Sequence, residues 1–317
     1  MFVKVIIYIL VGLGVFFALP STVYTFMFFG IFHRRRSIML ENDNLENTQY
    51  YPYADRLKKD ILQARGLPFE EVKLKAQDGA LLYGRYYEAS SDKAVILVHG
   101  YQSNAFNNFS SAMLDFLNKG YNVLLIDQRA HGGSGGKFTA MGRKEKDDLL
   151  LWIAYLDAKT EIRSIVVYGI SMGAATVGYA SERITSCKVK GLIMEAGFPC
   201  FYDELTDGLG NVFMKRAALN CMYLTAKAVL KIDIKESTER SLANNKIPTL
   251  FLHGDADKEV PAVFTERNFT ACASVKERIT VEGAGHTLCY LTGGESLRSR
   301  IYGFIEDCIE KKQEKEE

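Results

Sequence analysis

One segment near the middle of the 317-residue chain carries most of the information on its fold: Ser164-Ile-Val-Val-Tyr-Gly169-Ile-Ser171-Met-Gly173-Ala-Ala. Its first residues form a short apolar run of the kind that becomes a buried strand, and small residues that favour a helix follow. Between them stands the pattern G-x-S-x-G, whose two glycines leave room for a sharp turn. The segment therefore predicts a strand, a turn that lifts the Ser171 hydroxyl above a sheet, and a helix.

The alternation of apolar runs and helical patterns continues on both sides of this segment. Further apolar runs predict strands at residues 94–98, 122–126, 191–194, 248–252 and 278–281. Amphipathic patterns at residues 145–159 and 296–312 predict helices. Strands that alternate with helices predict an α/β fold with a mostly parallel central sheet and helices on both faces.

Two segments depart from this alternation. Residues 72–76 and 81–87 are predicted to be N-terminal hairpin strands, because Asp78-Gly79 between them is a strong turn signal. The interval between the strands at 191–194 and 248–252 is too long for a simple crossover. Residues 199–235 are therefore expected to form a helical cap insertion over the C-terminal edge of the sheet. An extra pair of helices that packs elsewhere is the alternative.

Composition and charge exclude several classes of protein. A hydrophobic fraction of 48% and a net charge of +1 exclude disorder for most of the chain. The basic residues of the first 36 positions leave the remaining chain slightly acidic, so nucleic acid is not an expected partner. The six cysteines have neither zinc spacing nor the density of a disulfide scaffold. Neither a metal nor another cofactor is expected.

Residues 1–36 are predicted to be an N-terminal membrane anchor. Residues 5–32 form an uncharged stretch of 28 residues, and about 20 suffice for a transmembrane helix. A cleaved signal peptide is the alternative, but no small-x-small cleavage site follows the apolar run. The basic residues 33–36 outweigh Lys4, so the positive-inside rule favours a single-pass anchor with the body of the protein in the cytoplasm.

A nucleophilic serine needs a base within hydrogen-bond reach and a carboxylate that orients that base. Among the five histidines, His286 stands on a glycine-rich loop before the last helix, whereas the others stand at strand ends or beside the anchor. Asp255 and Asp257 both follow the strand at 248–252. We choose Asp257 and expect Asp255 to bond its own turn, although the spacing does not separate them decisively. The order Ser171, Asp257, His286 is that of nucleophile-elbow hydrolases.

Two backbone N–H groups are candidates to stabilise the negative charge that develops on a carbonyl oxygen during attack. One is the N–H of Met172, directly after the nucleophile. The other is the N–H of Tyr101, in the loop after the strand at 94–98, where Gly100 lets the backbone pass close.

Five motifs occur in one order along the chain: His99-Gly100-Tyr101-Gln102-Ser103, Asp127-Gln-Arg129-Ala-His131-Gly132-Gly-Ser134, Gly169-Ile-Ser171-Met-Gly173, His253-Gly-Asp-Ala-Asp257 and Gly285-His286. Together they resemble the α/β-hydrolases. The similarity is greatest to the serine-aminopeptidase-like (S33-type) group, whose bacterial members often carry an N-terminal membrane anchor. Ala130 stands where many relatives have glycine.

The resemblance covers about residues 68–310, with residues 37–67 as a linker and short helix before it and residues 311–317 as a charged tail after it. It implies that Ser171, Asp257 and His286 form a catalytic triad. It also implies that Tyr101 and Met172 donate to the oxyanion.

These observations predict a serine hydrolase that cleaves a carboxylic ester through an acyl-enzyme. Its expected substrate is a small-molecule ester with a hydrophobic or amphiphilic acyl group. A serine peptidase of the aminopeptidase type is the first alternative, with Asp203, Glu204 and Asp207 of the cap available to a substrate amine. The second is a membrane-tethered binding protein whose hydrolase fold no longer turns over substrate. The oligomeric state is left open.

Overall fold

An eight-stranded sheet forms the centre of the computed structural model, which describes residues 28–34, 45–46, 48–207 and 213–313. The strands β1 to β8 are, in chain order, Glu70–Lys75, Leu81–Tyr87, Lys93–Val98, Asn122–Asp127, Ser164–Ile170, Val189–Glu195, Thr249–Gly254 and Lys276–Val281. They lie side by side in the order β1-β2-β4-β3-β5-β6-β7-β8. β2 pairs antiparallel with both β1 and β4, and the remaining pairs are parallel.

The sheet confirms the predicted α/β fold class with a mostly parallel sheet. Every predicted strand is present, with ends that differ from the prediction by up to about three residues, as hydrogen-bonded ends commonly do. β1 and β2 form the predicted hairpin. Gly79 in its turn has a φ of +85°, a conformation that glycine adopts without steric cost.

Helices cover both faces of the sheet. The helices α1 to α10 are Ala54–Gly66, Ala105–Asn118, Glu145–Asp157, Met172–Ala180, Phe201–Thr206, Phe213–Thr225, Thr238–Leu242, Ala262–Ala271, Cys289–Thr292 and Gly294–Gln313. Alternate residues of β3 point to opposite faces, as the pleat of a strand requires. Val95 and Leu97 pack in one buried cluster with α1, α2 and α10, whereas Ala94 and Ile96 pack in another with α3 and α4.

A third apolar cluster lies over the point where β5 leads into α4. It joins α4, the predicted insertion at residues 199–235 and the described part of the N-terminal stretch, with further residues from the loop after β4 and from the start of α8. Within the insertion, Leu219, Met222, Ala226 and Leu230 contribute at helical spacing, because α6 continues into a π-helical segment over Ala226–Leu230.

Phe28 and Phe32 are buried in this third cluster, with 3% and 0% of their surfaces exposed. Burying a phenylalanine side chain contributes about 1.5–3 kcal/mol relative to leaving it in water. The last residues of the predicted anchor therefore pack on the domain. An uncharged sequence fits either a bilayer or a protein interior, because both remove apolar surface from water.

Most of the predicted membrane anchor lies outside the described residues, as does the end of the charged tail. In the part of the chain that the structure describes, no helix combines the length and the hydropathy needed to cross a bilayer.

Candidate active site

Ser171 stands at the turn between β5 and α4. Its φ of +55° and ψ of −118° lie outside the regions that side-chain-bearing residues ordinarily occupy. Its N–H donates to the carbonyl of Glu195 at the end of β6, and its own carbonyl accepts from the N–H of Ala175. These bonds hold the sharp turn that the G-x-S-x-G pattern predicts, and such strain is commonly retained at functional sites.

The two glycines of the pattern are required by close backbone approach. A Cβ on Gly173 would lie 1.9 Å from the carbonyl oxygen of Val98, and a Cβ on Gly169 would lie 2.4 Å from the carbonyl oxygen of Gly173. Backbone atoms at these distances cannot move aside as a flexible side chain does. The helix after Ser171 therefore packs directly against the ends of β3 and β5.

The structure brings Ser171, His286 and Asp257 into one hydrogen-bonded chain. His286 Nε2 lies 3.0 Å from Ser171 Oγ, and His286 Nδ1 lies 2.8 Å from Asp257 Oδ2. All three side chains are largely buried. The other carboxylate oxygen of Asp257 accepts the N–H groups of Glu259 and Val260, which fixes its orientation.

The side chain of Asp255 bonds the backbone of a neighbouring loop and not the imidazole of His286. Its Oδ1 accepts the N–H of Gly283, 2.7 Å away, and so ties the loop after β7 to the loop after β8. The sequence favours Asp257 as the partner of His286 and predicts that Asp255 bonds its own turn. The second prediction is wrong, because the acceptor oxygen of Asp255 bonds Gly283 in the loop after β8. In the structure Asp257 contacts the imidazole of His286, whereas Asp255 accepts the backbone N–H of Gly283.

The buried pair of His286 and Asp257 favours its charged form. Burial lowers the pKa of His286, but the hydrogen bond and charge of Asp257, with the charges of Glu259 and Glu195, leave that pKa above its ordinary value. Burial raises the pKa of Asp257, and the opposing bond and charge of His286 leave it below its ordinary value. Asp257 therefore stabilises an imidazolium at His286.

The loop that carries Tyr101 lies against Ser171. A Cβ on Gly100 would lie 3.2 Å from Ser171 Cβ, so the loop and the serine are in close contact. The N–H of Gly100 donates to Asn108 Oδ1 at 2.8 Å, and the N–H of Gln102 donates to His131 Nε2 at 3.1 Å. The backbone is thus held on both sides of Tyr101. Met172 begins α4, where the first N–H groups of a helix have no acceptor within the helix.

The histidines at the ends of β3 and β7 bond atoms of the loops beside them. His99 Nε2 accepts the N–H of Gln128, and its Nδ1 lies 2.7 Å from the carbonyl oxygen of Gly100. Burial, together with the charge of His131, lowers the pKa of His99 to about 3, so its imidazole is neutral. His253 bonds Thr265 and the carbonyl of Val260.

Sequence reasoning missed two residues that support the site. Glu195, wholly buried at the end of β6, accepts the N–H of Cys289 and so fixes the chain just after His286. Burial raises its pKa, and Tyr168 donates to its other oxygen. Asn108, inside α2, holds Gly100. Neither carries a sequence signal, because a buried carboxylate and a helical amide reveal their partners only in three dimensions.

A cavity of about 490 Å³ opens beside Ser171 and His286. Its wall is mainly apolar and comes from distant parts of the chain, including Ile31, Met141, Phe198, Phe201, Leu205 and Val260. Clefts of this size and character accommodate small molecules. The hydroxyl of Ser171 therefore faces a space that fits an apolar group.

Of the three acidic residues proposed for a substrate amine, Glu204 lines this cavity. Asp203 is paired with Arg267 at 2.7 Å, and Asp207 is exposed. Glu204 Oε2 is buried and has no hydrogen-bond partner among the described residues. Burial raises the pKa of Glu204 to about 7. Among the described residues of the insertion that line the cavity, Glu204 is the charged one.

Two sequence models of protein families match the chain. The first, described as "Serine aminopeptidase, S33", matches residues 89–205, and the second, described as "TAP-like protein", matches residues 209–316. Among curated proteins, the chain is similar to the uncharacterized protein YqkD of Bacillus subtilis. The two are 29% identical over 70% of this chain and 74% of that protein.

Solved structures of esterases resemble the domain. The Pyrococcus furiosus esterase Pf2001 has a TM-score of 0.64 and 23% identity, and the match covers 87% of this chain and 98% of that chain. The esterase EaEST from Exiguobacterium antarcticum has a TM-score of 0.58 and 20% identity, with 75% of this chain and 100% of that chain covered. At these identities the likeness shows a shared fold.

Proposed function

We propose, on the premise that the chain is an α/β-hydrolase, that it is a serine hydrolase that cleaves carboxylic esters with hydrophobic acyl groups. The observation that carries the proposal is the hydrogen-bonded chain from Ser171 Oγ through His286 to Asp257. A serine hydroxyl becomes a nucleophile when a base stands within hydrogen-bond reach and a third group orients that base.

In the proposed reaction, His286 Nε2 takes the proton of Ser171 Oγ while the oxygen attacks the ester carbonyl carbon. The tetrahedral intermediate collapses, the bond to the leaving alkoxide breaks, and His286 returns the proton to that alkoxide. Water then attacks the acyl-enzyme while His286 takes its proton, the bond between the acyl carbon and Ser171 Oγ breaks, and His286 returns that proton to Ser171 Oγ as the carboxylic acid leaves. Asp257 holds the imidazole in place and stabilises its protonated form.

The backbone N–H groups of Met172 and Tyr101 are the proposed donors to the oxyanion. The Met172 N–H stands at the N-terminus of α4, where the dipole of the helix also favours negative charge. The loop that contains Tyr101 is fixed by Asn108 and His131, so a donor there would not need to reorganise during the reaction.

The acid limb of the pH profile follows from the pKa of His286. Protonation removes the general base, so kcat/KM should fall as the pH drops through that pKa. Because the pKa lies above its ordinary value, we expect the midpoint above about pH 6.5. Glu204 titrates in the same range, so the profile should be measured in the wild type and in Glu204→Gln. A midpoint below pH 6.5 in both proteins would contradict the proposed environment of His286.

The apolar wall of the cavity supports a hydrophobic acyl group as its occupant. The uncharged stretch of residues 5–32 supports an N-terminal membrane anchor, with the domain on the cytoplasmic side according to the positive-inside rule. An enzyme tethered in this way would meet amphiphilic esters at the bilayer surface. These two features together favour an esterase of lipid-like substrates.

A peptidase of the aminopeptidase type is the second candidate, and Glu204 is the observation that favours it. An ionised carboxylate inside an apolar cavity would bind the free amine of a peptide. Its raised pKa counts against that role near neutral pH, because the neutral form of the carboxyl group does not attract a cation.

A paired substrate panel tests the proposal. The full-length protein in detergent would be assayed with p-nitrophenyl esters of graded acyl length and with aminoacyl and dipeptidyl p-nitroanilides. We expect ester hydrolysis that increases with chain length until the cavity is filled, and anilide hydrolysis at least about 100-fold slower. Preferred cleavage of the anilides, or no turnover of any ester by the folded protein, would contradict the proposal.

Glu204→Gln separates the two candidates further. For an esterase, we expect kcat/KM toward long-chain esters at pH 8 to rise about threefold, because a neutral amide is less costly than a carboxylate beside an acyl chain. For an aminopeptidase, the same change would remove the partner of the amine and reduce anilide hydrolysis at least about tenfold. Asp207→Asn, an exposed change at the end of the same helix, is the matched control.

A further inference from the structure

The N-terminal segment, residues 28–34, is fixed to the domain by its backbone. The N–H of Thr139 donates to the carbonyl of Phe32 at 2.8 Å, and the N–H of Arg34 donates to the carbonyl of Lys137 at 2.8 Å. These bonds belong to a short antiparallel bridge between His33 and Phe138. The segment therefore has a defined register on the loop that follows β4.

The side chain of Arg34 fixes the end of the segment a second time. Its guanidinium donates to the carbonyl oxygens of Gly132 and Ser134, each at 2.5 Å. Two hydrogen bonds from one planar group set direction as well as distance. On the other side, the buried ring of Phe32 packs edge-on against Phe201 at 5.7 Å between ring centroids.

Ile31 directly precedes these attachments and reaches the cavity. It lines the cavity beside Ser171, and its side chain packs against the third apolar cluster. Its carbonyl accepts a 2.6 Å hydrogen bond from the hydroxyl of Tyr101, which in turn accepts a bond from Gln102 Nε2. The end of the N-terminal segment and the proposed oxyanion loop are thus joined directly.

We propose that Ile31 sets the length of the acyl chain that the cavity accepts, so that the end of the N-terminal apolar stretch is part of the substrate site. This inference rests on the proposed ester hydrolysis. Phe201 and Leu205 of the insertion also line the cavity, and Phe32 packs on Phe201, so the segment and the insertion together enclose the acyl space. Residue 31 is one position from the end of the uncharged stretch, so under the proposed membrane anchor the long-chain substrates would be esters of membrane amphiphiles.

The test compares full-length variants that change only the volume at this wall. Ile31→Ala enlarges the cavity and Ile31→Phe reduces it. Phe29→Ala is the matched control, because Phe29 belongs to the same segment, is 48% exposed and does not line the cavity. For each protein, kcat/KM would be measured for p-nitrophenyl esters from butanoate to tetradecanoate. The rate of labelling by a fluorophosphonate probe would be measured in parallel.

We expect Ile31→Ala to raise the ratio of kcat/KM for dodecanoate over butanoate about tenfold, and Ile31→Phe to lower it by a similar factor. Phe29→Ala should leave the ratio unchanged within about twofold. If Ile31→Ala does not fold, Ile31→Val provides the same comparison with a smaller expected shift.

The outcomes distinguish this inference from the function on which it rests. Unchanged ratios in the Ile31 variants, with wild-type rates of probe labelling, would overturn the role of Ile31 and leave the hydrolase intact. Absence of labelling and ester turnover in the folded wild type would overturn the hydrolase, and the inference with it. Equal shifts in Phe29→Ala and Ile31→Ala would also overturn the inference, since the effect would then be that of any change in the segment.

Discussion

Replacing Ser171 by alanine is expected to lower kcat/KM for ester hydrolysis by about 10⁴- to 10⁶-fold. The variant retains the binding cavity and the oxyanion donors but has no atom that could form an acyl-enzyme. The fold should be preserved, because alanine is smaller than serine and, among the described residues, the side chain of Ser171 hydrogen-bonds only to His286. Initial rates with a p-nitrophenyl ester and thermal unfolding curves would measure both quantities.

Ser181→Ala is the matched control for this substitution. Ser181 is also buried and stands at the opposite end of α4, where its hydroxyl donates to the carbonyl of Gly178 at 2.8 Å. Loss of that bond costs on the order of 1 kcal/mol of stability and should leave kcat/KM within about twofold. Residual activity of Ser171→Ala above about one per cent would mean that another group is the nucleophile.

Asp257→Asn is expected to reduce kcat/KM by about 10⁴-fold, although the volume of the side chain hardly changes. The amide can accept one hydrogen bond from His286 but carries no charge to stabilise the imidazolium, and it can present its NH₂ group and hold the wrong tautomer. Asp255→Asn should reduce kcat/KM by less than about tenfold, because Asp255 bonds the N–H of Gly283 rather than the imidazole.

The comparison of the two asparagine variants decides between carboxylates that stand two residues apart. Both should be assayed at a pH well above the acid limb, where His286 is neutral, so that a change in pKa does not imitate a loss of rate. Equal effects, or a larger effect at Asp255, would show that the carboxylate paired with His286 during the reaction is not the one found beside it in the structure.

The fold was predictable because its signals are local. Each buried strand of a parallel sheet needs a continuous apolar run, and the runs at 94–98, 122–126 and 164–167 could be located without knowing their neighbours. The turn at Ser171 was predictable for a similar reason. Positions 169 and 173 need glycine, because a Cβ at either position would clash with backbone atoms in the structure.

The choice between Asp255 and Asp257 could not be derived from spacing alone. Both residues belong to one turn after β7, and their roles depend on which carboxylate faces His286 and which faces the loop at Gly283. That difference arises from the N–H groups of Glu259 and Val260, which orient Asp257. It involves rotations of a few bonds that no residue pattern encodes.

The contacts of the N-terminal segment also could not be predicted from the sequence. Phe28 and Phe32 are apolar, and Arg34 is basic, whether the segment lies in a bilayer, at its surface or on the protein. Hydropathy assigns all three to an anchor. In the structure Phe32 packs in the third apolar cluster, and Arg34 donates hydrogen bonds to the carbonyl oxygens of Gly132 and Ser134. Hydropathy alone does not show whether an apolar side chain is buried in lipid or against protein.

Ala130 illustrates an informative departure from a family pattern. Its φ of +60° lies in the left-handed region, which glycine occupies at lower cost, and its N–H donates to the carbonyl of Gly135 at 2.8 Å. The same loop supplies the carbonyl oxygens of Gly132 and Ser134 to the side chain of Arg34.

The most direct measurement of the central claim is the site at which a fluorophosphonate reagent becomes attached. The full-length protein would be labelled, digested and analysed by tandem mass spectrometry, with His286→Ala labelled under the same conditions. We predict a single adduct on Ser171 Oγ, formed at least about 10³-fold more slowly in His286→Ala. An adduct on Ser103, which also lines the cavity, or labelling of Ser171 that does not depend on His286, would contradict the account.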